Sequence, residues 1–166
     1  MPAAPVLTTR YGYVPSPLGD ILLTGGDDAL TGLYLLQRVE SSSPWVREDA
    51  HFEPVRVQLE EYFDGRRTRF DVAMRLEGSP FQREVWSALE AIPYGETTSY
   101  GEIARRIGRP TASRAVGAAN GRNPISIIIP CHRVIGADNS LTGYGWGIER
   151  KAWLLDHERA ASSALR

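Results

Sequence analysis

One cysteine followed by a histidine is the pair in this chain best suited to nucleophilic chemistry. Cys131 is the only cysteine among 166 residues, and His132 follows it in the segment "NPISIIIPCHRVIG" (123–136). The β-branched run over 125–129 predicts a buried strand that ends at Pro130. Only about a tenth of an ordinary thiol is thiolate near neutral pH, so a nucleophilic cysteine needs a base or a positive environment. From these two residues alone, a buried cysteine without chemical function remains the commoner alternative.

A histidine that acts as a base also needs an orienting partner, and the C-terminal segment offers a carboxylate. Four residues of "IERKAWLLDHERA" (148–160) recur at helical spacing and predict one inward stripe: Ile148, Lys151, Leu155 and Glu158. Charged side chains avoid the interior unless they are paired. Lys151 and Glu158 therefore either serve the cysteine or extend outward as a surface pair.

The charge is distributed unevenly along the chain. The net charge is −1, yet residues 1–84 carry a net −4 and residues 85–166 a net +3. Between 99 and 133 the net charge is +5, from Glu102 and these six arginines: Arg105, Arg106, Arg109, Arg114, Arg122 and Arg133. Charge alone indicates a solvated basic face, and its position beside the motifs below favours a surface that binds DNA.

Composition excludes several classes of protein. Hydrophobic residues make up 42% and charged residues 23%, as in ordinary globular proteins. No apolar run approaches the roughly 20 residues of a membrane span, and no signal pattern opens the chain. A single cysteine excludes an internal disulfide, and three histidines argue against a zinc cluster. We expect a cytoplasmic protein without metal or cofactor.

Turn residues and apolar periodicity predict a β-rich first half. Short runs broken by Pro, Gly and Asp indicate strands, and the spacing of Val55, Leu59, Tyr62 and Phe63 indicates a helix that ends at Gly65. The predicted elements are a strand meander over 11–36, a loop over 37–52, a helix over 53–65 and a half-buried strand over 69–76.

A helical second half follows a boundary that we place near residue 78. "SPFQ" (79–82) has the pattern of a capping box with proline in the first turn. Residues 98–124 then predict two short helices with a tight connection, the second from about Ala112 to Gly121. Their size and rhythm are typical of a helix-turn-helix, although many helical hairpins look alike.

The second of these helices carries small residues where a major-groove reader carries long polar ones. Ala115, Gly117 and Ala118 follow Arg114, its one long side chain near the N-terminal end. Small residues allow close approach of backbone and DNA, which suits the minor groove. Tight packing against a neighbouring helix would explain them equally well, and the surrounding arginines favour DNA.

Together these segments resemble the O6-alkylguanine-DNA alkyltransferases. The resemblance covers about half the chain through "PFQREVWSALEAIPYGETTSYGEIARRIG", "SRAVGAANGRNP", "PCHRV" and "GYGWG" followed by "RKAWLLDHE", whereas the front half matches loosely through "SPLG" and "LEEYFDG". It implies an α+β protein: an N-terminal ribonuclease H-like β-sheet domain (1–77) and a C-terminal helix-turn-helix, winged-helix-like domain (78–166).

The reaction implied is direct-reversal DNA repair. An alkyl group on guanine O6, or on thymine O4, moves irreversibly to the protein's own cysteine after nucleotide flipping, without a cofactor, and each molecule acts once. The implied partner is double-stranded DNA carrying O6-alkylguanine, bound through its minor groove by a monomer with no membrane association.

The resemblance also implies roles for residues of the reaction centre. Cys131 would be the acceptor, and His132 would take its proton through a water held by Glu158. Asn123 would be the hinge that ties the helix-turn-helix to the active-site loop. Lys151 would hydrogen-bond the active-site backbone.

Further residues would act on the nucleotide. Tyr100 would assist nucleotide rotation and supply a proton to the leaving guanine, and Arg114 would fill the gap left in the base stack. Tyr144 would line the base pocket. The other positions assigned to substrate or DNA contact are Ala115, Gly117, Ala118, Asn120, Val134, Gly145 and Trp146.

Two residues depart from the pattern of many relatives. Gly145 stands where many have serine, so a hydroxyl that could bond guanine O6 is absent, although the backbone N–H remains. Trp146 stands where many have glycine, although the bacterial adaptive-response protein also carries a tryptophan there. Its side chain either narrows the pocket or anchors the loop from outside.

Two other classes of protein stay open as alternatives. A non-enzymatic sensor of alkylation damage would bind the lesion without repair, but in such proteins the acceptor cysteine is replaced, and Cys131 is present here. A cysteine hydrolase or redox sensor would use Cys131 and His132, but it gives no role to the arginines between 99 and 133.

Overall fold

The computed structural model describes residues 8–164. Its N-terminal half contains a four-stranded sheet in the order β3-β2-β1-β4, antiparallel except for the parallel pair β1 and β4. The first three strands confirm the predicted meander. The strands of this sheet are β1 (Arg10–Val14), β2 (Ile21–Gly25), β3 (Leu30–Leu35) and β4 (Val46–Arg47).

A tight turn joins β1 to β2 and fixes their register. Gly19 has a φ of +119°, which side chains rarely adopt, and its N–H donates to the carbonyl of Ser16 at 3.0 Å. The register that follows pairs Val14 with Ile21 and Arg10 with Gly25. All five residues of β2 are buried, so this strand forms the centre of the N-terminal core.

Two predictions for the N-terminal half are wrong in detail. The predicted loop over 37–52 contains β4 and a 3₁₀ helix, Asp49–Phe52. The segment over 69–76 alternates in exposure as predicted, but it is not a strand, because it pairs with the sheet only where Leu30 exchanges hydrogen bonds with Ala73 and Arg75. Periodicity reported which side chains are covered, and it carried no information about backbone pairing.

The helix α1 (Glu53–Phe63) contributes to the apolar core that it shares with the sheet. Its buried side chains are Val55, Leu59 and Tyr62, at the predicted helical spacing. Gly65, with a φ of +77°, follows its C-terminal end as predicted. Tyr62 therefore lies at the end of α1 that faces the other half of the molecule.

The C-terminal half is helical around a short parallel sheet. Its helices are α2 (Pro80–Glu90), α3 (Tyr100–Arg106), α4 (Ser113–Gly121) and α5 (Ile148–Ala164), and its strands are β5 (Thr98–Ser99) and β6 (Val134–Ile135). The predicted capping box is present, since Ser79 and Gln82 each accept a hydrogen bond from the other's backbone N–H. Helices α3 and α4 form the predicted pair.

Packing joins the two halves. The N–H of Leu33 on β3 donates to the carbonyl of Pro124 at 2.9 Å. Within the C-terminal half, Trp86 on α2 donates its indole N–H to the carbonyl of Ala119 on α4 at 2.9 Å. The apolar core is continuous from Ile21 in the sheet to Leu154 in α5. Because β3 contacts the chain just after α4, the N-terminal half supports the segment that carries Cys131. Within residues 8–164, no helix is long and apolar enough to cross a membrane.

Candidate active site

Cys131 is presented by a buried turn, and the prediction of a strand over 125–129 is wrong. The N–H of Ile129 donates to the carbonyl of Ile125 at 3.0 Å, and Ile127 has a φ of +72°. A β-branched residue in this region is strained and persists only where its surroundings hold it. The run of isoleucines predicted burial correctly, but the chain folds back on itself there. Cys131–Arg133 continues as a 3₁₀ helix.

Two asparagines near the end of α4 hold this turn. Asn123 donates its side-chain amide to the carbonyl of Ile129 at 2.7 Å and accepts from the N–H of Ile125 at 3.0 Å. Asn120, buried on α4, donates to the carbonyl of Cys131 at 3.4 Å. Both ends of the turn are therefore attached to the helix-turn-helix, which is the geometry that a hinge role for Asn123 requires.

The thiol of Cys131 faces a cavity of about 310 Å³. Burial raises the pKa of Cys131, while hydrogen bonds between the thiol and the side chains of Asn123 and Ser126, and the positive charge of Lys151, oppose that rise. The resting thiol is therefore protonated at neutral pH and needs a base. The cavity is lined by Leu33, Tyr34, Asn120, Gly121, Arg122, Asn123, Pro124, Ser126, Cys131, Gly143, Tyr144, Gly145 and Trp146.

His132 and Glu158 are in direct contact. The Nε2 of His132 lies 2.6 Å from the Oε2 of Glu158, and both side chains are fully buried. Because the carboxylate accepts the Nε2 proton, Nδ1 is left as the basic nitrogen, and it has no protein partner among the described residues. Burial lowers the pKa of His132 despite the carboxylate, so the imidazole is neutral near pH 7.

Glu158 is paired more extensively than the sequence indicated. Arg133 donates from Nε to Oε1 at 2.8 Å and from a terminal nitrogen to Oε2 at 3.1 Å. Tyr62 donates its hydroxyl to Oε2 at 2.6 Å, and the N–H of Gly95 donates to Oε1 at 3.3 Å. Burial opposes ionisation of Glu158, but hydrogen bonds from His132 and Arg133, together with the positive charge of Arg133, lower its pKa well below the usual range.

The buried position of Arg133 corrects the charge count of the basic face. Its guanidinium also donates to the carbonyl of Ile92 at 2.7 Å, and its side chain is only 8% exposed. The charge of Arg133 is therefore not part of the basic surface. Three other arginines of the group form surface ion pairs, Arg105 and Arg106 with Glu102 and Arg109 with Glu84. The face available to a polyanion therefore carries a net +4 at most.

Two side chains hold the loop beside the cavity. Lys151 Nζ donates to the carbonyl of Thr142 at 2.8 Å, and the hydroxyl of Tyr100 donates to the same carbonyl at 3.2 Å. Burial lowers the pKa of Lys151. The predicted inward stripe of α5 is right for Lys151 and Glu158 but wrong for Ile148, which is 54% exposed because it opens the helix at the surface.

Aromatic rings form one wall of the cavity. Tyr144 and Trp146 stack at 5.9 Å between centroids with 13° between their planes, and both line the cavity with Cys131. Burial raises the pKa of Tyr144 well above its usual value, so its hydroxyl stays protonated. Gly145 between them has open space where a side chain would begin. Trp146 therefore faces the pocket instead of anchoring the loop from outside.

The residues assigned to DNA contact divide into two groups. Arg114, Ala115 and Ala118 are exposed on α4, and Gly117 is half-buried beside the ring of Tyr100. Apart from the residues of the cavity wall described above, the other two assigned residues are Asn120 and Val134, and both are internal.

Asn120 is buried against the Cys131 turn. Val134 is fully buried in β6 and lies outside the cavity lining, so its side chain reaches neither the surface nor the pocket. Its assignment to substrate contact stays a prediction, and only its backbone could make that contact.

The sequence interpretation missed three residues of the site. Arg133 was counted with the surface charges, Tyr62 only with the apolar face of α1, and Ser126 not at all, although its hydroxyl lies 4.0 Å from the thiol. For Arg133, its place beside the cysteine and histidine was the available signal. For Tyr62 no local pattern could have found a partner 96 residues away.

Comparisons with known proteins identify the family of this chain. Family models described as the ribonuclease-like domain and the DNA binding domain of 6-O-methylguanine DNA methyltransferase match residues 9–76 and 80–160. The methylated-DNA–protein-cysteine methyltransferase of Mycolicibacterium paratuberculosis is 52% identical over 93% of this chain and 95% of that protein. The chain belongs to the 6-O-methylguanine DNA methyltransferase family.

A second relative and a solved structure give the same picture. The methylated-DNA–protein-cysteine methyltransferase of Methanosarcina acetivorans is 50% identical over 89% of this chain and 97% of that protein. The crystal structure of Mycobacterium tuberculosis OGT in complex with DNA matches with a TM-score of 0.87 and 51% identity, over 92% of this chain and 94% of that one. The likeness to this family thus extends across both halves of the molecule.

The buried pairing of Glu158 predicts a pH-dependent loss of stability. Glu158→Gln leaves Arg133 buried without its counter-charge, and we expect the free energy of unfolding at pH 7 to fall by about 3 kcal/mol. The pKa of Glu158 is lowered in the folded protein, so its stabilisation is complete above the ordinary carboxyl value near 4.3 and is lost as the pH falls further. Urea unfolding should therefore show the gap between parent and variant narrowing below about pH 5.

The control for this experiment is Glu149→Gln, which changes an exposed carboxylate in the first turn of the same helix. It should leave both the stability and its pH dependence nearly unchanged. A gap between the parent and Glu158→Gln that stays constant down to pH 3 would contradict the ionised, paired state of Glu158.

Proposed function

We propose that this protein is a methylated-DNA–protein-cysteine methyltransferase that carries out direct-reversal repair. It transfers an alkyl group from guanine O6 in double-stranded DNA to the Sγ of Cys131. The S–C bond forms as the O6–C bond breaks, and the thiol proton leaves to the base. The observation that carries this proposal is Cys131 at a cavity with the His132–Glu158 pair directly behind it.

The proton path follows from the tautomer of His132. Glu158 binds the Nε2 proton, so Nδ1 accepts the proton of Cys131 through a bridging water. The water lies between the thiol and the imidazole, and Glu158 acts by direct contact with His132. Tyr100 supplies a proton to the departing guanine, and Lys151 keeps the loop backbone in place beside it.

The DNA-facing surface follows from the exposed residues of α4. Guanine O6 lies inside the duplex, so the nucleotide must be extruded at a cost of a few kcal/mol. Ala115 and Ala118 allow close approach to the minor groove, and Arg114 fills the gap left in the stack. Thymine O4 presents similar chemistry and is a second substrate in this proposal.

Alkyl transfer is irreversible because the thioether product has no leaving group that the site can displace. Each molecule therefore acts once. Action as a monomer and without a cofactor is a further part of the proposal. A cytoplasmic location is part of the proposal.

Transfer to Cys131 should be visible by mass. After reaction with duplex DNA that contains O6-methylguanine, peptide mapping should show about +14 Da on Cys131 and no second addition, because one thiol is consumed per molecule. Cys131→Ser should lose transfer yet bind DNA as the parent does. Repeated turnover, or label on another residue, would overturn the proposal, and binding without any transfer would identify a damage sensor.

Arg114 should act on extrusion and not on the thiol. We expect Arg114→Ala to slow repair of duplex DNA by at least about tenfold while reaction with a free alkylguanine base, which needs no unstacking, stays unchanged. Single-turnover rates on the two substrates measure the difference. Arg109→Ala is the matched control, because it removes an exposed arginine of the same face and should not separate the substrates. Equal losses on both substrates would refute the assignment.

Trp146 should limit the size of the alkyl group. Its ring occupies the cavity wall beside Cys131, and overpacking a tight site costs about 1–3 kcal/mol. We therefore expect Trp146→Gly to speed reaction with O6-benzylguanine by about 5- to 150-fold, with little change for O6-methylguanine. Trp45→Gly, at an exposed tryptophan outside the cavity lining, is the control. Unchanged benzyl reactivity in Trp146→Gly would discard the role as a gate.

A further inference from the structure

The N-terminal half donates one hydrogen bond to the His132–Glu158 pair next to Cys131. Tyr62 on α1 is fully buried, and its hydroxyl donates to Glu158 Oε2 at 2.6 Å. The same oxygen accepts from Nε2 of His132 at 2.6 Å. The hydroxyl and the imidazole therefore share the negative charge of one carboxylate oxygen.

We propose that Tyr62 is a positioning residue for the alkyl transfer, whose hydroxyl holds Glu158 Oε2 and sets the basicity of His132. The N-terminal half then contributes a working part of the proton path as well as support for the fold. This inference rests on the function proposed above.

The place of Tyr62 is determined independently of Glu158. Its backbone carbonyl accepts from Nε2 of His157 on α5 at 2.8 Å, one residue before Glu158. Its ring packs against Phe70 and Tyr94, with centroids 5.5 Å and 6.2 Å away. Because the backbone and the ring are both fixed, the hydroxyl has one position, and that position is at the carboxylate.

The carboxylate keeps its orientation without this hydroxyl. Arg133 binds both oxygens of Glu158 at 2.8 and 3.1 Å, and Gly95 donates a further backbone hydrogen bond. Removal of the Tyr62 hydroxyl therefore alters the charge on Oε2 more than its location. This separation of charge from geometry makes Tyr62→Phe an informative variant.

The groups around His132 determine in which direction its pKa moves in Tyr62→Phe. The titratable and charged groups packed about it are Tyr62, Tyr94, Cys131, Arg133, Lys151 and Glu158. With one donor fewer on Oε2, the carboxylate stabilises the imidazolium more strongly, so the pKa of His132 rises. Since the base must be neutral to accept the thiol proton, the acid limb of the rate profile moves to higher pH.

The test compares the parent, Tyr62→Phe and Tyr13→Phe. Tyr13 lies on β1, and its hydroxyl accepts from the N–H of Val39 at 3.0 Å, so its variant also loses one hydroxyl hydrogen bond in the N-terminal half. Single-turnover methyl transfer is measured from pH 5 to pH 9, and the imidazole of His132 is titrated by ¹⁵N NMR. We expect both midpoints to rise by about half a unit to one unit in Tyr62→Phe and to stay unchanged in Tyr13→Phe.

Two outcomes would overturn the inference. Tyr62→Phe with a lower melting temperature but an unshifted His132 titration would make Tyr62 structural only, and a lower rate at every pH without a shifted profile would do the same. If Tyr62→Phe does not fold, the parent itself still provides a test, because the Tyr62 hydroxyl proton and the Nε2 proton of His132 must show a nuclear Overhauser effect across Glu158.

The two proposals fail separately. A parent that transfers no methyl group to Cys131 contradicts the proposed function, while the titration of His132 still reports whether Tyr62 sets its basicity. A parent that repairs DNA, together with a Tyr62→Phe variant that titrates like it, contradicts only the role of Tyr62.

Discussion

The ionised carboxylate of Glu158 in the interior is the constraint on which the rest of the site depends. A charge out of water must be paired and hydrogen-bonded, and removal of one partner of such a pair costs about 3–5 kcal/mol. Arg133 supplies the counter-charge, and donors from His132, Tyr62 and Gly95 occupy the remaining lone pairs. These partners lie on separate segments of the chain, so satisfaction of one carboxylate assembles α1, α5 and the turn after Pro130 around the thiol.

A second constraint is the turn that delivers Cys131 to the cavity. Its backbone contains Ile127 with a positive φ, which the chain tolerates because Asn123 holds both ends and the surrounding isoleucines are buried. Asn123 follows α4, so the helix whose exposed small residues are proposed to face DNA also holds the turn that carries Cys131. A shift of α4 on DNA would be transmitted to Cys131 through these hydrogen bonds, which gives the helix-turn-helix a mechanical link to the chemistry.

Burial shifts the pKa values of Cys131 and His132 in opposite directions, and both shifts favour the neutral form of the group. It raises the pKa of Cys131 and lowers the pKa of His132, so the resting pair is a neutral thiol beside a neutral base. A neutral thiol reacts more slowly with other electrophiles than a thiolate does. This low reactivity preserves Cys131 for the proposed reaction, which consumes it. In the proposed reaction, the positive charge of Lys151, which opposes the rise in the pKa of Cys131, would stabilise the negative charge that develops as the proton leaves.

The sequence by itself determined the elements with local causes. The capping box at Ser79, the burial of the isoleucine run and the end of α1 at Gly65 all follow from neighbouring residues, and the motif around Cys131 indicated the family and the placement of His132 and Glu158. Only the tertiary structure decided that the isoleucine run folds back as a turn, that Arg133 faces inward and that Trp146 faces the pocket. It also brought the Tyr62 hydroxyl to Glu158. Periodicity reports whether a side chain is covered, but the group that covers it comes from distant segments, and for a buried polar atom that group decides the chemistry.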